Sequence, residues 1–226
     1  MKFILSDDLI KKYGNIKLAF GAIKNVNVFG PNEQTKNILE NVYPLVREKY
    51  IIESLRINPN SIAYINFAKK IGIDPESAFL PHLQIKRVLT GKSIGNINNI
   101  VNEYMALELL YNLSLSAYDL DLLKGNLVAE VAAVDEDMIA IGGQTFKIPL
   151  RDFTLSDEKG AFYSFSQGYR DSSKITTKTK NVLFVIDAPN EIENSEVENC
   201  LKDLLNKFNS QDFFLLNENV REVNIT

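Results

Sequence analysis

With 226 residues, 45% of them hydrophobic and 10% aromatic, the chain is long enough to bury a substantial core and too apolar to be disordered. Its net charge of −4, from 25 basic and 29 acidic residues, excludes a surface that grips phosphate everywhere and leaves room only for a local basic patch. The single cysteine, Cys200, and single histidine, His82, exclude a disulfide framework and a Cys/His metal centre; no metal and no cofactor is expected.

Met1 to Leu5 reads as a strand and Asp7 to Tyr13 as a short helix. Acidic residues come too early for a signal peptide, and no apolar run approaches about 18 residues, so a cytoplasmic protein without a membrane span is expected. Asn15 to Val28 alternates apolar and polar residues and predicts a half-buried strand interrupted at Gly21, which Gly30-Pro31-Asn32 ends. Helices follow at about 44–56, 61–71, 81–90 and 98–110. The first carries Pro44 in its opening turn, Asn58 to Ser61 form a turn and cap before the second, and the third places His82 at a surface helix start. Asn98 or Asn99 caps the fourth, and Asn112 to Ser116 reads as a loop.

After Gly125 the texture changes to short runs between turn residues. Leu127–Ala133, Met138–Ile141, Thr145–Ile148, Ala161–Phe165 and Val182–Ile186 read as strands, with turns at Gly142-Gly143 and Asp157 to Gly160. This spacing suggests an antiparallel sheet or sandwich. Ser195 and Glu198 form a capping-box pattern for a helix that buries Val197, Leu201, Leu204, Leu205 and Phe208, with Cys200 inside, and Phe213–Leu216 closes as a strand.

The stretch from Asn98 to Asp121 resembles the B3/B4 editing domain of the phenylalanyl-tRNA synthetase β subunit. Aligned without a gap it shares Asn98-Asn99, Val101, Ala117, Asp119 and Leu120-Asp121, and it carries a Leu107-Glu108-Leu109 triplet like the family's. Downstream, Ser156 to Gly160 and Thr176 to Ala188 are similar to two further family segments, with Thr179, Asn181, Val182 and Leu183 in place. The likeness spans about 16–189, and a helix and strand at about 195–217 are expected to pack on it, so one freestanding domain over 1–226 is the reading. It implies an α+β fold with a β-rich, sandwich-like core and flanking helices. It also implies a tRNA partner, held at its acylated 3′ end, with no DNA and no membrane partner.

Hydrolysis of an aminoacyl ester needs a positioned water, a group to deprotonate it and donors for the oxyanion. In the family a histidine and a glutamate serve the editing pocket; the same alignment sets Ser116 and Val185 there. The substitutes nearest in sequence are Asp119, Asp187, Tyr118 and the run Arg170-Asp171-Ser172-Ser173. Ser116, Asp119 and Asp171 are therefore the candidate catalytic residues, and Asn98, Asn99, Asn102, Tyr118, Gly142, Arg170, Ser172 and Thr177 the candidate substrate contacts. Arg170 would act as a fork for phosphate or carboxylate, with a basic patch over Lys174 to Lys180. Each has a structural alternative: Asp119 and the asparagines as caps, Asp171 to Ser173 and Gly142-Gly143 as turns, the lysines as a solvated hairpin face. The functional alternatives are a non-catalytic module that binds an amino acid or a tRNA end, and a hydrolase for small amides or esters.

Overall fold

The computed structural model describes residues 1–14, 16–76 and 80–225. In chain order, β1 (Lys2–Leu5) leads through α1 (Asp7–Tyr13) to β2 (Ile16–Ile23), followed by α2 (Glu33–Glu40), α3 (Tyr43–Lys49), α4 (Pro59–Lys70), α5 (Pro81–Leu89) and α6 (Asn99–Tyr111). The β-rich part comprises β3 (Ser114–Asp119), β4 (Leu127–Val131), β5 (Glu136–Ile139), β6 (Thr145–Ile148), β7 (Phe153–Asp157), β8 (Gly160–Ser164), β9 (Gly168–Tyr169) and β10 (Val182–Pro189). The chain ends through α7 (Asn194–Asn206), β11 (Phe213–Leu216) and β12 (Glu222–Asn224). The fold is α+β.

Two main sheets form the core. One has the order β12-β1-β4-β7-β8-β9, the other β11-β2-β10-β3, and β5 pairs with β6 apart from both. The smaller main sheet is antiparallel throughout, whereas the larger is mixed because β1 and β4 run parallel. Every residue of β2 and of β10 is buried, so these strands are covered on both faces and show a continuous apolar run instead of an alternation. Phe3 of β1 meets Phe20 of β2 at 4.8 Å between ring centroids, which joins the sheets. Phe184 of β10 stacks on Phe208, just beyond α7, at 5.7 Å.

The helix α6 lies between two cores. Ile100, Val101 and Leu107 belong to the main one, while Ala106 and Leu109 join Leu39, Tyr43, Val46, Ile85 and Val88 of α2, α3 and α5 in a second. A helix apolar on this many sides is an interior helix, and it carries the site between the layers.

Several expectations are corrected. Gly21 does not interrupt β2: it pairs with Phe184 and Phe213 in the middle of the sheet. A Cβ there would lie 2.6 Å from the Asp212 carbonyl oxygen and 2.8 Å from a Leu205 methyl, so glycine is required by the close approach of α7 and the segment after it. The strand ends at Ile23, before Asn25 turns left-handed at φ 56°, so Val26 and Val28 lie outside it; its expected start at Asn15 lies outside the described residues. The first expected helix stops at Lys49 because Tyr50 is extended, its hydroxyl donating to the Leu110 carbonyl at 2.9 Å, and Leu55 falls in a separate 3-10 turn. The unexpected α2 is held by a capping box between Asn32 and Thr35. Ser195 and Glu198 make no capping box: α7 starts two residues earlier, at Asn194 with Glu193 at its N-cap, and Glu198 pairs with Lys202 at 3.1 Å. Residues 114–116 belong to strand β3 and not to a loop, and β7 escaped detection because all five of its residues are buried. His82 is buried at 2% exposure beside buried Pro81, and desolvation lowers its pKa.

The replacement Gly21→Ala should cost about 1–3 kcal/mol of stability in urea unfolding, because the crowding atom at 2.6 Å is backbone and cannot rotate away. A wild-type midpoint in that variant would contradict this packing.

Candidate functional site

The amino end of α6 is fastened by asparagines. Asn98 accepts from Val101 N at 2.8 Å; Asn99 accepts from Phe29 N and donates to the Asn27 carbonyl, each at 3.0 Å. Asn102 donates to the Thr35 carbonyl at 2.9 Å and to Asn96 at 2.7 Å, and accepts from Ile97 N at 3.0 Å. These bonds tie the chain before α6, the loop after β2 and the start of α2 into one rigid rim.

Behind that rim is a cavity of about 120 Å³. Tyr104 of α6, Tyr118 of β3 and Tyr169 of β9 form its aromatic wall, and Ile97, Ile141 and Lys174 stand among the residues that line it. Ile97 and Ile141 are 50% and 54% exposed, so the entrance is apolar and open to solvent. Arg170 also lines the cavity, but its end is occupied: Nη1 and Nη2 donate to the two oxygens of Asp157 at 2.8 and 2.9 Å, and Nη1 donates to the Gly160 carbonyl at 3.2 Å. The guanidinium also lies 5.9 Å from the Phe162 ring centre. Burial raises the pKa of Asp157, but the Arg170 bonds and the Lys124 and Lys159 N–H groups outweigh it and leave the carboxyl below its ordinary range. The free anion fork expected of Arg170 is thus closed internally.

Farther in, polar groups from four elements converge. Asp187 of β10 accepts from Ser114 Oγ at 2.9 Å, while Tyr64 donates to the Asp187 carbonyl at 2.7 Å and accepts from Ser114 N at 2.8 Å. Burial pushes Asp187 up to about 7, against the Ser114 and Tyr163 hydroxyls, which favour its ionised form. Burial likewise pushes Glu108 of α6 up to about 8, with the Leu115 N–H opposing and the charge of Asp187 adding to the rise. Burial raises the pKa of Tyr169, and Tyr104, Glu108, Tyr118 and Asp187 add to the rise. Asp187 is only 1% exposed, whereas Glu108 and Tyr104 are partly exposed, and Tyr104 lines the cavity. Both carboxyls are lifted by burial, and the charge of Asp187 adds to the rise at Glu108. Among the described residues there is no group of three or more His, Cys, Asp and Glu that could hold a metal ion.

Residues 63–207 match the family model of the B3/4 domain. The chain belongs to the B3/4 domain family. It is also similar in structure to an N-terminal fragment of the phenylalanyl-tRNA synthetase β subunit from Pyrococcus horikoshii, with a TM-score of 0.47 and 11% identity over 96% of this chain and 53% of that one. The chain thus spans about half the length of that fragment. No curated protein matches the sequence.

Within this B3/4 domain, only Tyr118 and Arg170 of the expected site residues line the cavity. Ser116 is 1% exposed and donates to the Val185 carbonyl at 3.3 Å, so it is a buried ladder residue without a base beside it. Asp119 caps the 3-10 turn after β3, accepting from Asp121 N at 3.1 Å and from Thr179 Oγ1 at 2.6 Å. Asp171 pairs with Lys174 at 2.6 Å. Ser172 and Thr177 are exposed, Gly142 occupies a left-handed turn at φ 101° with open space around it, and the three asparagines spend their side chains on the rim. Lys174 to Lys180 is a loop after a 3-10 turn and not a hairpin face. The cluster residues that sequence reasoning missed are Tyr104, Glu108, Tyr163 and Tyr169; the four-residue spacing of Tyr104 and Glu108 on an otherwise apolar helix was the available signal.

Asp157→Asn should destabilise the domain by about 3–5 kcal/mol, since it strands a guanidinium that is 9% exposed. Its contribution is present above the unfolded-state pKa and lost as pH falls through the depressed folded value, so the deficit should shrink in acid urea titrations. Glu108 and Asp187 act oppositely: their raised folded pKa values, about 8 and about 7, mean that stability falls as pH rises from the ordinary carboxyl range through those values. Glu108→Gln and Asp187→Asn should each flatten that decline, and an unchanged slope would show that neither carboxyl is held neutral.

Proposed function

We propose that this domain receives the acylated 3′ end of a tRNA, seats the amino-acid side chain in the aromatic cavity, and hydrolyses the ester. The observation that carries the reading is the cavity itself; the two carboxyls with raised pKa values, Glu108 and Asp187, do not line it. A volume of about 120 Å³ suits one side chain and not a whole nucleotide. The chemistry falls to Glu108 and Asp187 in place of Ser116, Asp119 and Asp171. At neutral pH a carboxyl with pKa about 7 is partly ionised and one with pKa about 8 is mostly protonated, which provides a base for the attacking water and an acid for the departing ribose oxygen.

The RNA would be met locally. Lys174 lines the cavity, and the loop after it carries exposed Lys178 and Lys180; exposed Lys24 is near them, since Val26 N bonds the Lys180 carbonyl at 2.9 Å. A patch of this size can orient a tRNA end by phosphate contacts while the net charge of the chain stays negative. The 1% exposure of Asp187 favours a second reading, in which the domain binds the acylated end without cleaving it.

A panel of correctly and incorrectly charged aminoacyl-tRNAs separates these. Selective deacylation of a few esters is expected, with Glu108→Gln and Asp187→Asn each lowering the rate by about 100-fold. Because Glu108 is mostly protonated near pH 7, glutamine is a close mimic and should leave the melting temperature nearly unchanged. Binding without turnover supports the second reading, and wild-type turnover in both variants removes the carboxyls from the mechanism.

A further inference from the structure

Residues 149–152 make a tight turn in which the Asp152 N–H donates to the Pro149 carbonyl at 3.1 Å. Its third residue, Arg151, has φ 76°, whereas Leu150 before it is not left-handed. In such a type II turn that position suits glycine and strains any residue with a side chain, so an arginine there needs a reason. No internal bond supplies one: the residue is exposed, and among the described residues its guanidinium has no hydrogen bond and no ion pair. What the turn does is hold Arg151 against Tyr13. The Tyr13 hydroxyl donates to the Arg151 carbonyl at 2.6 Å, and the Arg151 charge opposes the rise that burial gives the Tyr13 pKa. Lys70 Nζ donates to the Tyr13 carbonyl at 2.6 Å, and Lys12 Nζ lies 5.7 Å from the Tyr13 ring centre. Exposed Lys11 and Lys69 stand next to them in the last turns of α1 and α4. The acids whose charges act on Tyr13 are Asp8 and the wholly buried Asp152, and Glu191 shares with Tyr13 and Lys70 the lining of a groove of about 220 Å³. Lysines at the carboxyl ends of helices complement the helix dipole, but Arg151 belongs to no helix.

We infer that Arg151, Lys12 and Lys70, grouped around Tyr13, form a docking surface for the phosphate backbone of an RNA duplex. None of the three lines the aromatic cavity, so this surface is distinct from the lysines beside the cavity. A guanidinium without an internal partner is a planar fork that matches a phosphate, and ammonium groups around it suit a ligand whose charges repeat along a chain. Residues 7–14 and 63–70 expose no large apolar side chain, and Leu150 is the one exposed beside Arg151. The surface therefore lacks the apolar centre of a protein interface and the wedge of a membrane-binding one. The inference rests on the aminoacyl-end reading only for the choice of RNA over DNA; the phosphate chemistry does not depend on it.

The test uses the full chain and a labelled, uncharged RNA duplex, with the same DNA duplex, polyglutamate and phosphatidylserine vesicles as rival ligands, between about 50 and 200 mM salt. The RNA duplex should bind, with an affinity that falls as salt rises. Arg151→Gly and Lys12→Ala should each weaken it by roughly three- to tenfold and lessen the salt slope by about one. Arg151→Gly should also keep or raise the melting temperature, because glycine adopts the turn without strain, so its weaker binding would not come from unfolding. No binding of the RNA duplex, wild-type affinity and salt slope in both variants, or tighter binding of DNA, polyglutamate or vesicles through the same residues would overturn the inference. Its failure is separable from that of the aminoacyl-end reading. Duplex binding that both variants weaken, with no aminoacyl-tRNA bound at its acylated end or cleaved, would leave the surface standing and remove that reading. Selective deacylation by a protein whose duplex affinity is the same in wild type and both variants would do the reverse.

Discussion

The constraint on which the rest depends is the double burial of β2 and β10. These two strands pair over eight residues, from Val182 with Ile23 to Pro189 with Ile16, and no residue on either is exposed. A strand pair in that position must be covered by the other sheet on one face and by helices on the other, which dictates the layered order and draws α4, α6 and α7 inward. It also makes any polar side chain on these strands an interior group. Lys17 answers with bonds to the Asn190 and Ile192 carbonyls, and Asp187 with bonds from Ser114 and a raised pKa. Lys17 is satisfied and acts as a staple for the turn after β10. Asp187 keeps a pKa raised to about 7 and accepts from hydroxyls with its side chain, which makes it the candidate chemical group of the two.

The Arg170–Asp157 pair is a second-order consequence. β9 is only two residues long at the edge of the larger sheet, too short to hold a cavity wall by its ladder bonds alone. A bidentate buried ion pair fixes the chain just after it to the β7–β8 turn, and the same bonds keep Tyr169 against Tyr163 at 5.4 Å. A buried pair of this kind is weak evidence for stability, since an apolar replacement could pack as well. Its value here is positional: it fixes Arg170, which lines the cavity, against Asp157 and the Gly160 carbonyl.

Much of the fold was legible in the sequence where one periodicity dominated. The helices from Pro59, Pro81 and Asn99 have proline or asparagine at their starts and apolar residues at helical spacing, and they form within two residues of expectation. Legibility failed where burial was complete. β7 and the first half of β3 carry serine and threonine inside, and a strand covered on both sides shows no alternation to read. Gly21 was misread because a glycine within a strand signals a bend locally, whereas its cause lay in Leu205 and Asp212, nearly two hundred residues away. The site followed the same division: Tyr118 and Arg170 were identified from resemblance, but the partner that closes the Arg170 fork and the carboxyl on α6 depend on tertiary contacts.

The departures from the family pattern acquire a physical meaning from the register of β3 against β10. Ser116 faces Val185 across the ladder, and these are the positions at which the resemblance implied a histidine and a glutamate. Two residues along on each strand, and so on the same face, Ser114 faces Asp187, and the two are hydrogen bonded at 2.9 Å. The pair at 116 and 185 is neutral, and the same-face pair one repeat away, roughly 7 Å along the strands, carries the carboxyl. Asp187 is buried there, which lifts its pKa to about 7, and its charge adds to the rise at Glu108 on α6. The carboxyl nearest to the altered pair is therefore one that the sheet register itself fixes, on the same face of the ladder and bonded to the serine opposite it.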